Sequence, residues 1–289
     1  VNHPSSLIER LHWPDNTIPS LTIDVMRLDK LHPIVSGNKW FKLKEHLALA
    51  GPGKPVLTFG GAWSNHLVAT AYAAQQAGIA AIGIVRGEKP APLSATLKEA
   101  TGYGMQLEFI SRSQYLQKED PLFLAGLLQR FPGAYLIPEG GGGLPGIIGS
   151  AGILRIADTS SYSHIACAIG TGTTFQGLLR AANPQQIIVG VPVLKGFDTS
   201  ALQTPRTVVL PQYHFGGYAR HPPQLIGFMN HFHRITAIPT DIVYTGKLFY
   251  ALTQSLREGL FPAHSRLLII HSGGLQGNRS LVPGSLNFG

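Results

Sequence analysis

The chain is poor in cysteine, in charge and in long hydrophobic runs. Its 289 residues include a single cysteine, Cys167, so no internal disulfide can form. Cys167 lies in the apolar run Ile165-Ala166-Cys167-Ala168-Ile169 and is expected to be an inert core residue. A reducing, cytoplasmic setting fits that usage. Charged residues are only 13% and hydrophobic ones 44%, which excludes a disordered, heavily solvated chain. No apolar stretch approaches the roughly 20 residues needed to span a membrane. The segment Val1 to Arg10 has no signal-peptide core. Basic residues interleaved with aromatics are also missing, which argues against nucleic acid as a partner despite the net charge of +8. That charge favours small anions, phosphates and carboxylates. His231 and His233 are two apart on an expected helix and do not share a face, so no metal site is indicated.

Glycine and proline are plentiful, at 34 and 21 residues, and punctuate a regular alternation. Short apolar runs predict strands at 56–59, 80–85, 107–110, 135–137, 164–169, 187–191 and 267–271. Amphipathic segments predict helices at 41–49, 65–77, 93–101, 121–130, 147–157, 175–182, 225–233 and 247–257. Strand-then-helix repetition predicts an α/β fold with a mostly parallel sheet. Ligands of such sheets sit where strands end and loops lead into helices. The glycine-rich stretch 139–149 is the expected boundary between two lobes.

Five loops at such places carry chemistry-bearing residues. Gly170-Thr171-Gly172-Thr173-Thr174 follows a strand and opens a helix, as a phosphate cradle would. It lacks the Lys-Ser/Thr pair of a Walker loop and the third glycine of a dinucleotide fingerprint. By itself it reads equally well as a plain strand–helix turn. Gly60-Gly61-Ala62-Trp63-Ser64-Asn65-His66 also joins a strand to a helix. Ser64 is its candidate N-cap, and Asn65 and His66 offer more donors than a cap requires. In Ser36-Gly37-Asn38-Lys39 a lysine starts a helix, against the helix dipole. A solvated surface lysine is the bland alternative. Asp241-Ile242-Val243-Tyr244-Thr245-Gly246-Lys247 places Tyr244 as core or as a stacking plate. His271-Ser272-Gly273-Gly274-Leu275-Gln276-Gly277 ends the last strand, as a terminal turn or a pocket wall. Together they supply a phosphate cradle, a lysine for an imine, a carboxylate site and an aromatic plate, the parts a pyridoxal-phosphate site needs.

In their order along the chain, from about Leu28 to Gly277, these five motifs resemble the 1-aminocyclopropane-1-carboxylate deaminase / D-cysteine desulfhydrase family. The resemblance implies a tryptophan-synthase β-like α/β fold: two open, twisted, mostly parallel sheets flanked by helices. A small domain (46–149) would be inserted in a large one (1–45 and 150–289), and the protein would be a homodimer. It implies pyridoxal 5'-phosphate held as a Schiff base on Lys39, with Asn65 on the cofactor's 3-oxygen. Gly170, Thr171, Gly172, Thr173 and Thr174 would hold its phosphate. Tyr244 would stack near its ring, and Thr245 would meet its pyridine nitrogen. Ser64, Asn65 and His66 would face a small amino-acid substrate. Tyr218, in Gly216-Gly217-Tyr218-Ala219, matches the family's second active-site tyrosine, with Ala219 where the family usually has glycine. The catalytic set so implied is Lys39, Ser64, Tyr218 and Tyr244.

The family's ring-opening deaminases carry Glu after the stacking tyrosine and Gln after Ser-Asn. Here Thr245 and His66 stand in those places. A hydroxyl partner is expected to leave the pyridine mostly neutral, which suits β-elimination from a cysteine- or serine-like substrate better than ring opening. The alternatives are ring opening of 1-aminocyclopropane-1-carboxylate to 2-oxobutyrate and ammonia, and a phosphate- or cofactor-binding protein without catalysis. Glu139, before four glycines, is expected to cap or to line a pocket rather than to catalyse. The chain is also shorter than the family's established deaminases.

Overall fold

A computed structural model describes residues 7–13, 18 and 20–288. The expectation about a signal peptide falls in part on residues 1–6, outside the described residues. In chain order the elements are β1 (Ile8–Arg10), β2 (Thr22–Arg27), α1 (Asn38–Ala50), β3 (Val56–Gly60), α2 (Asn65–Gln76), β4 (Ala81–Arg86), α3 (Ala95–Gly102) and β5 (Met105–Ile110). There follow α4 (Arg112–Tyr115), α5 (Pro121–Arg130), β6 (Tyr135–Ile137), α6 (Gly143–Ala151), β7 (His164–Ile169), α7 (Thr173–Ala181) and β8 (Ile187–Pro192). The chain ends through β9 (Thr207–Val209), α8 (Pro223–Thr236), α9 (Thr245–Arg257) and β10 (Arg266–His271).

The chain forms two compact units, one taking residues up to Asn38 and from Ser150 onward, the other Lys39–Gly149. The larger unit is built on a six-stranded sheet of order β1-β2-β10-β7-β8-β9. Its strands pair in parallel except for β1 against β2. Both faces of the central strands are buried, so they read as continuous apolar runs. Ile23, Val25, Ala166, Ala168, Val189, Val191, Leu267 and Ile269 form one face. They pack with Met229 and Phe232 of α8 and Leu248, Phe249 and Leu252 of α9. On the opposite face, where the intervening residues point, Phe175 of α7 lies over Gly190, which has no room for a Cβ.

The smaller unit has an all-parallel sheet of order β5-β4-β3-β6. Leu57, Phe59, Ile82 and Ile84 pack with Ile110, Tyr115 and Leu127. Residues 39–45, expected with the large domain, fall in this unit. The reason is local: His46 of α1 bonds Tyr135 and Gly142, and a Cβ on Gly149 would collide with the Phe41 carbonyl.

The expected α/β class, with open, mostly parallel sheets flanked by helices, is the class the chain forms. Helix α6 starts four residues earlier than its predicted 147, inside the glycine run, and gives way to a 3-10 turn at Gly152–Arg155. Strands β1, β2 and β9 and the single turn α4 were not predicted. Among the described residues no helix is long and apolar enough to cross a membrane.

Candidate active site

In the larger unit three expected loops are tied together by hydrogen bonds. Asn38 donates its backbone N–H to the Ser272 carbonyl (3.2 Å) and its amide to Thr174 Oγ1 (2.9 Å). Gly37 precedes it with φ +69°, and a Cβ there would collide with the Ser272 carbonyl. Only glycine meets both demands. The chain thus leaves this unit for Lys39 from a fixed point.

The Gly170–Thr174 loop runs from the end of β7 into α7. Gly172 is the N-cap, in the left-handed region, with no side-chain cap bond. A helix start without a side-chain cap directs its first N–H groups outward, where an anion is favoured. Thr171 and Thr173 share a hydroxyl bond of 2.9 Å, and Thr173 and Thr174 are buried. A Cβ on Gly170 would lie 3.0 Å from Cε1 of Tyr244, so the Tyr244 ring packs close against this loop where the residue is glycine. The fourth expected loop therefore joins the other three. Tyr218 joins them too, its ring edge-on to Tyr244 with centroids 6.4 Å apart.

Tyr218 rides on a turn of unusual backbone, in which Phe215, Gly216, Gly217 and Ala219 all have positive φ. Lys247, fully buried, holds that turn. Its ammonium donates to the carbonyls of Gly217 (2.6 Å), His214 (2.9 Å) and Val193 (3.5 Å). Burial pushes Lys247 down to about 8, against the pull of Asp241.

Thr245 is wholly buried, and its hydroxyl is committed. It donates to Asp241 Oδ1 (2.6 Å) and accepts the Asp241 N–H (2.7 Å). The hydroxyl proton of Thr245 is thus committed to the carboxylate. At the end of β10, His271 Nε2 donates to the Pro239 carbonyl (2.7 Å) and Nδ1 lies 3.2 Å from Asp29. Asp29 is clamped by Arg27 and kept below the ordinary carboxylate range by His271 and Arg27 against the opposing effect of burial.

The smaller unit holds the remaining residues. Ser64 caps α2 by accepting the Leu67 N–H, and half-buried Asn65 opens the helix. His66 points inward and is buried. Its Nε2 lies 2.8 Å from Thr58 Oγ1, which donates to the Ile137 carbonyl at 2.8 Å. Among the described residues, nothing hydrogen-bonds its buried Nδ1. Burial first, then the charges of Lys39, Lys42 and His46, push His66 well below its ordinary range. Lys39, the second residue of α1, is half-buried.

The glycine run has a role here. Lys42 Nζ donates to the Gly140 carbonyl (3.3 Å) and His46 Nε2 to the Gly142 carbonyl (2.9 Å). A Cβ on Gly141 would lie 3.1 Å from Lys42 and 3.7 Å from the His66 ring. The run lies flat over these side chains. Glu139 instead accepts the Tyr115 hydroxyl (2.7 Å), a structural task. His231 bonds Arg234, His233 stacks on Phe288, and Cys167 is buried.

Sequence reasoning assigned no role to Thr58, Asp241 or Lys247. Lys247 carried the same signal as Lys39, a lysine in a first helical turn. Thr58 is a polar residue inside an apolar strand, which is a weak signal by itself.

No sequence-family model matches the chain. It is 29% identical over 284 residues to a Thermotoga maritima protein described as "Putative 1-aminocyclopropane-1-carboxylate deaminase", covering 88% of this chain and 89% of that one. It is 26% identical to the D-cysteine desulfhydrase of Klebsiella pneumoniae, over 87% of this chain and 86% of the other. The crystal structure of an ACC deaminase homologue matches with TM-score 0.78 and 26% identity, over 94% of this chain and 90% of that one. The O-acetylserine-dependent cystathionine β-synthase of Helicobacter pylori shares the fold, with TM-score 0.69 at 15% identity over 95% and 94% of the two chains. These likenesses bear out the resemblance read from the five motifs: in sequence and in fold the chain is similar to the 1-aminocyclopropane-1-carboxylate deaminase / D-cysteine desulfhydrase family of pyridoxal-phosphate enzymes.

Proposed function

We propose that the chain is a pyridoxal-phosphate-dependent lyase that removes the β-substituent of a small cysteine- or serine-like amino acid, D-cysteine in the first instance. The products are a 2-oxo acid, ammonia and the departing thiol or water. The observation that carries this function is the convergence of Gly37-Asn38, Gly170–Thr174, Ser272-Gly273, Tyr244 and Tyr218 within the larger unit. An uncapped helix start, threonine hydroxyls and a tyrosine over glycine fit a phosphate beside an aromatic ring. Bound pyridoxal phosphate supplies an electron sink for the α-carbon.

The chain's own residues do the rest. Lys39 would hold the cofactor through its amine. The first N–H groups of α7, with Thr171, Thr173 and Thr174, take the phosphate, and Asn65 takes the 3-oxygen. Tyr244 flanks the ring, and Thr245, backed by Asp241, meets the ring nitrogen through its oxygen. Ser64 and the N-terminus of α2 favour the substrate carboxylate through the helix dipole. The Lys39 amine would serve as the base that takes the substrate's α-proton. Tyr218 and Tyr244, edge to face, bound the space around the reacting carbon. His66, in place of the glutamine of ring-opening relatives, supports a substrate with a polar β-group. The same proposal includes a homodimer and a cytoplasmic setting, in keeping with a single cysteine.

The test is the absorption spectrum of the purified protein. Wild type loaded with cofactor is expected to show a Schiff-base band near the visible edge that changes on adding D-cysteine, with sulfide and pyruvate released. Lys39→Ala is expected to lack that band, and an unchanged spectrum in the variant would sink the assignment. Release of 2-oxobutyrate from 1-aminocyclopropane-1-carboxylate, with no sulfide from cysteine, would replace elimination by ring opening.

A further inference from the structure

His66 has one nitrogen bonded and one not, and the bonded one reveals which carries the proton. Thr58 Oγ1 stands between two groups, the Ile137 carbonyl and His66 Nε2, each 2.8 Å away. A carbonyl only accepts, so the single hydroxyl proton of Thr58 goes to Ile137. Nothing remains for Thr58 to give to the imidazole, so Nε2 must carry the hydrogen and donate it. A neutral imidazole has only one N–H, and Nδ1 is therefore a bare lone pair. His66 is 3% exposed and Nδ1 has no partner among the described residues, an arrangement that costs stability wherever nothing donates to it.

Charge does not undo this arrangement. Lys39 and Lys42 of α1 act on His66, and each opposes a proton on the ring. His46 itself shows the same division, Nε2 donating to Gly142 and Nδ1 accepting the Tyr135 hydroxyl. In His46 the acceptor nitrogen is satisfied, whereas in His66 it is left over.

We propose that Thr58 is a positioning residue that fixes His66 as the Nε2–H tautomer, so that Nδ1 is an acceptor for the hydroxyl or thiol hydrogen on the β-carbon of the substrate. The acceptor role rests on the function proposed above; the tautomer does not. A glutamine at this place can donate or accept, by rotating its amide. A locked neutral histidine accepts through Nδ1 alone. It therefore selects amino acids with a donor on the β-carbon over those with only methyl or methylene groups there.

Two measurements test the two halves. Long-range proton–nitrogen spectra of histidine-labelled protein, with the His66 signals identified by their loss in His66→Gln, report the tautomer directly. Wild type and Thr58→Ser should show Nε2–H, and Thr58→Val should lose that preference. Nδ1–H in wild type, or no change in Thr58→Val, overturns the inference. For the acceptor role, 2-methylserine and 2-aminoisobutyrate are titrated into the holoenzyme and followed by calorimetry. Neither has an α-proton, so neither is consumed. 2-Methylserine is expected to bind roughly ten-fold tighter, from the cost of an unpaired buried acceptor. The preference should persist in Thr58→Ser and collapse in Thr58→Val. Equal binding of the two ligands in wild type, or binding of neither by a visibly loaded holoenzyme, overturns the acceptor role. A protein that takes up no cofactor would refute the proposed function instead, and the nitrogen spectrum would still decide the tautomer.

Discussion

Asp241 and Thr245 close a ring of two hydrogen bonds: the threonine hydroxyl donates to the carboxylate at 2.6 Å and accepts the aspartate's own N–H at 2.7 Å. The same carboxylate accepts the N–H groups of Val243, Tyr244 and Thr245 at 2.8–2.9 Å. It thereby caps α9 and fixes the backbone from which the Tyr244 ring reaches Gly170. Charge-assisted bonds of this kind contribute about 1.5–3 kcal/mol each, and they are not additive. Asp241→Asn turns one acceptor into a donor facing N–H groups. Its unfolding free energy in urea should fall by about 2–4 kcal/mol. Thr245→Val, which removes only the hydroxyl, should cost less.

Lys247 predicts a more local effect. Two of its three carbonyl partners, His214 and Gly217, belong to the turn that carries Tyr218, and the third, Val193, follows β8. Lys247→Met fits the space but leaves those carbonyls without a donor. Amide exchange at residues 215–220 should quicken, while exchange in β7 and β10 should be nearly unchanged. Global stability should drop by about 1–3 kcal/mol, since removal of the buried ammonium's desolvation offsets part of the loss.

Ala219 supplies a gain rather than a loss. Its φ of +54° costs an alanine about 1–2 kcal/mol relative to the right-handed region. Ala219→Gly relieves that strain but frees the unfolded chain by about 0.4–1 kcal/mol. The net expectation is a stabilisation of about 0.5 kcal/mol, read as a higher melting temperature. The preference for glycine after the second tyrosine, read from the resemblance, has this backbone as its physical reason.

The central sheets were legible in the sequence because burial on both faces makes strands such as Ile165–Ile169 wholly apolar. Strand β2 was not legible, because Asp24 and Arg27 interrupt Thr22–Arg27. Both are buried, stabilised largely by partners distant in sequence: Tyr162 and Arg10 for Asp24, and Glu9 for Arg27, which also pairs with Asp29 two residues on. Local patterning carries no trace of such partners. The candidate site divides in the same way. Gly37, Gly170 and Gly172 were readable as loop glycines, and the structure supplies what each one touches. Thr58 and Asp241 act through hydrogen bonds, Thr58 to His66 and Ile137 and Asp241 within its own turn, and residue type alone did not assign those bonds.

The two buried histidines of the smaller unit contribute to the response to acid, alongside His164 and His32 of the larger, which burial also lowers. Burial lowers both His46 and His66, the latter far more and with Lys39 and Lys42 adding to it. In the unfolded chain each titrates near the ordinary histidine value of about 6.5. Below that value the unfolded state binds protons that the native state refuses, so stability rises with pH across this window and falls as pH drops through it. For His66 the window runs from about 6.5 downward to its depressed native value, with a limiting slope of about 1.4 kcal/mol per pH unit for one proton. Urea unfolding from pH 7 to pH 5 should therefore show a falling midpoint in wild type. His66→Gln cannot titrate, so its midpoint should be lower at pH 7, where the Thr58 bond is altered, yet decline less steeply toward pH 5. A variant curve parallel to that of wild type would mean that His66 takes up its proton alike in the folded and unfolded chain, and would refute the depressed native value.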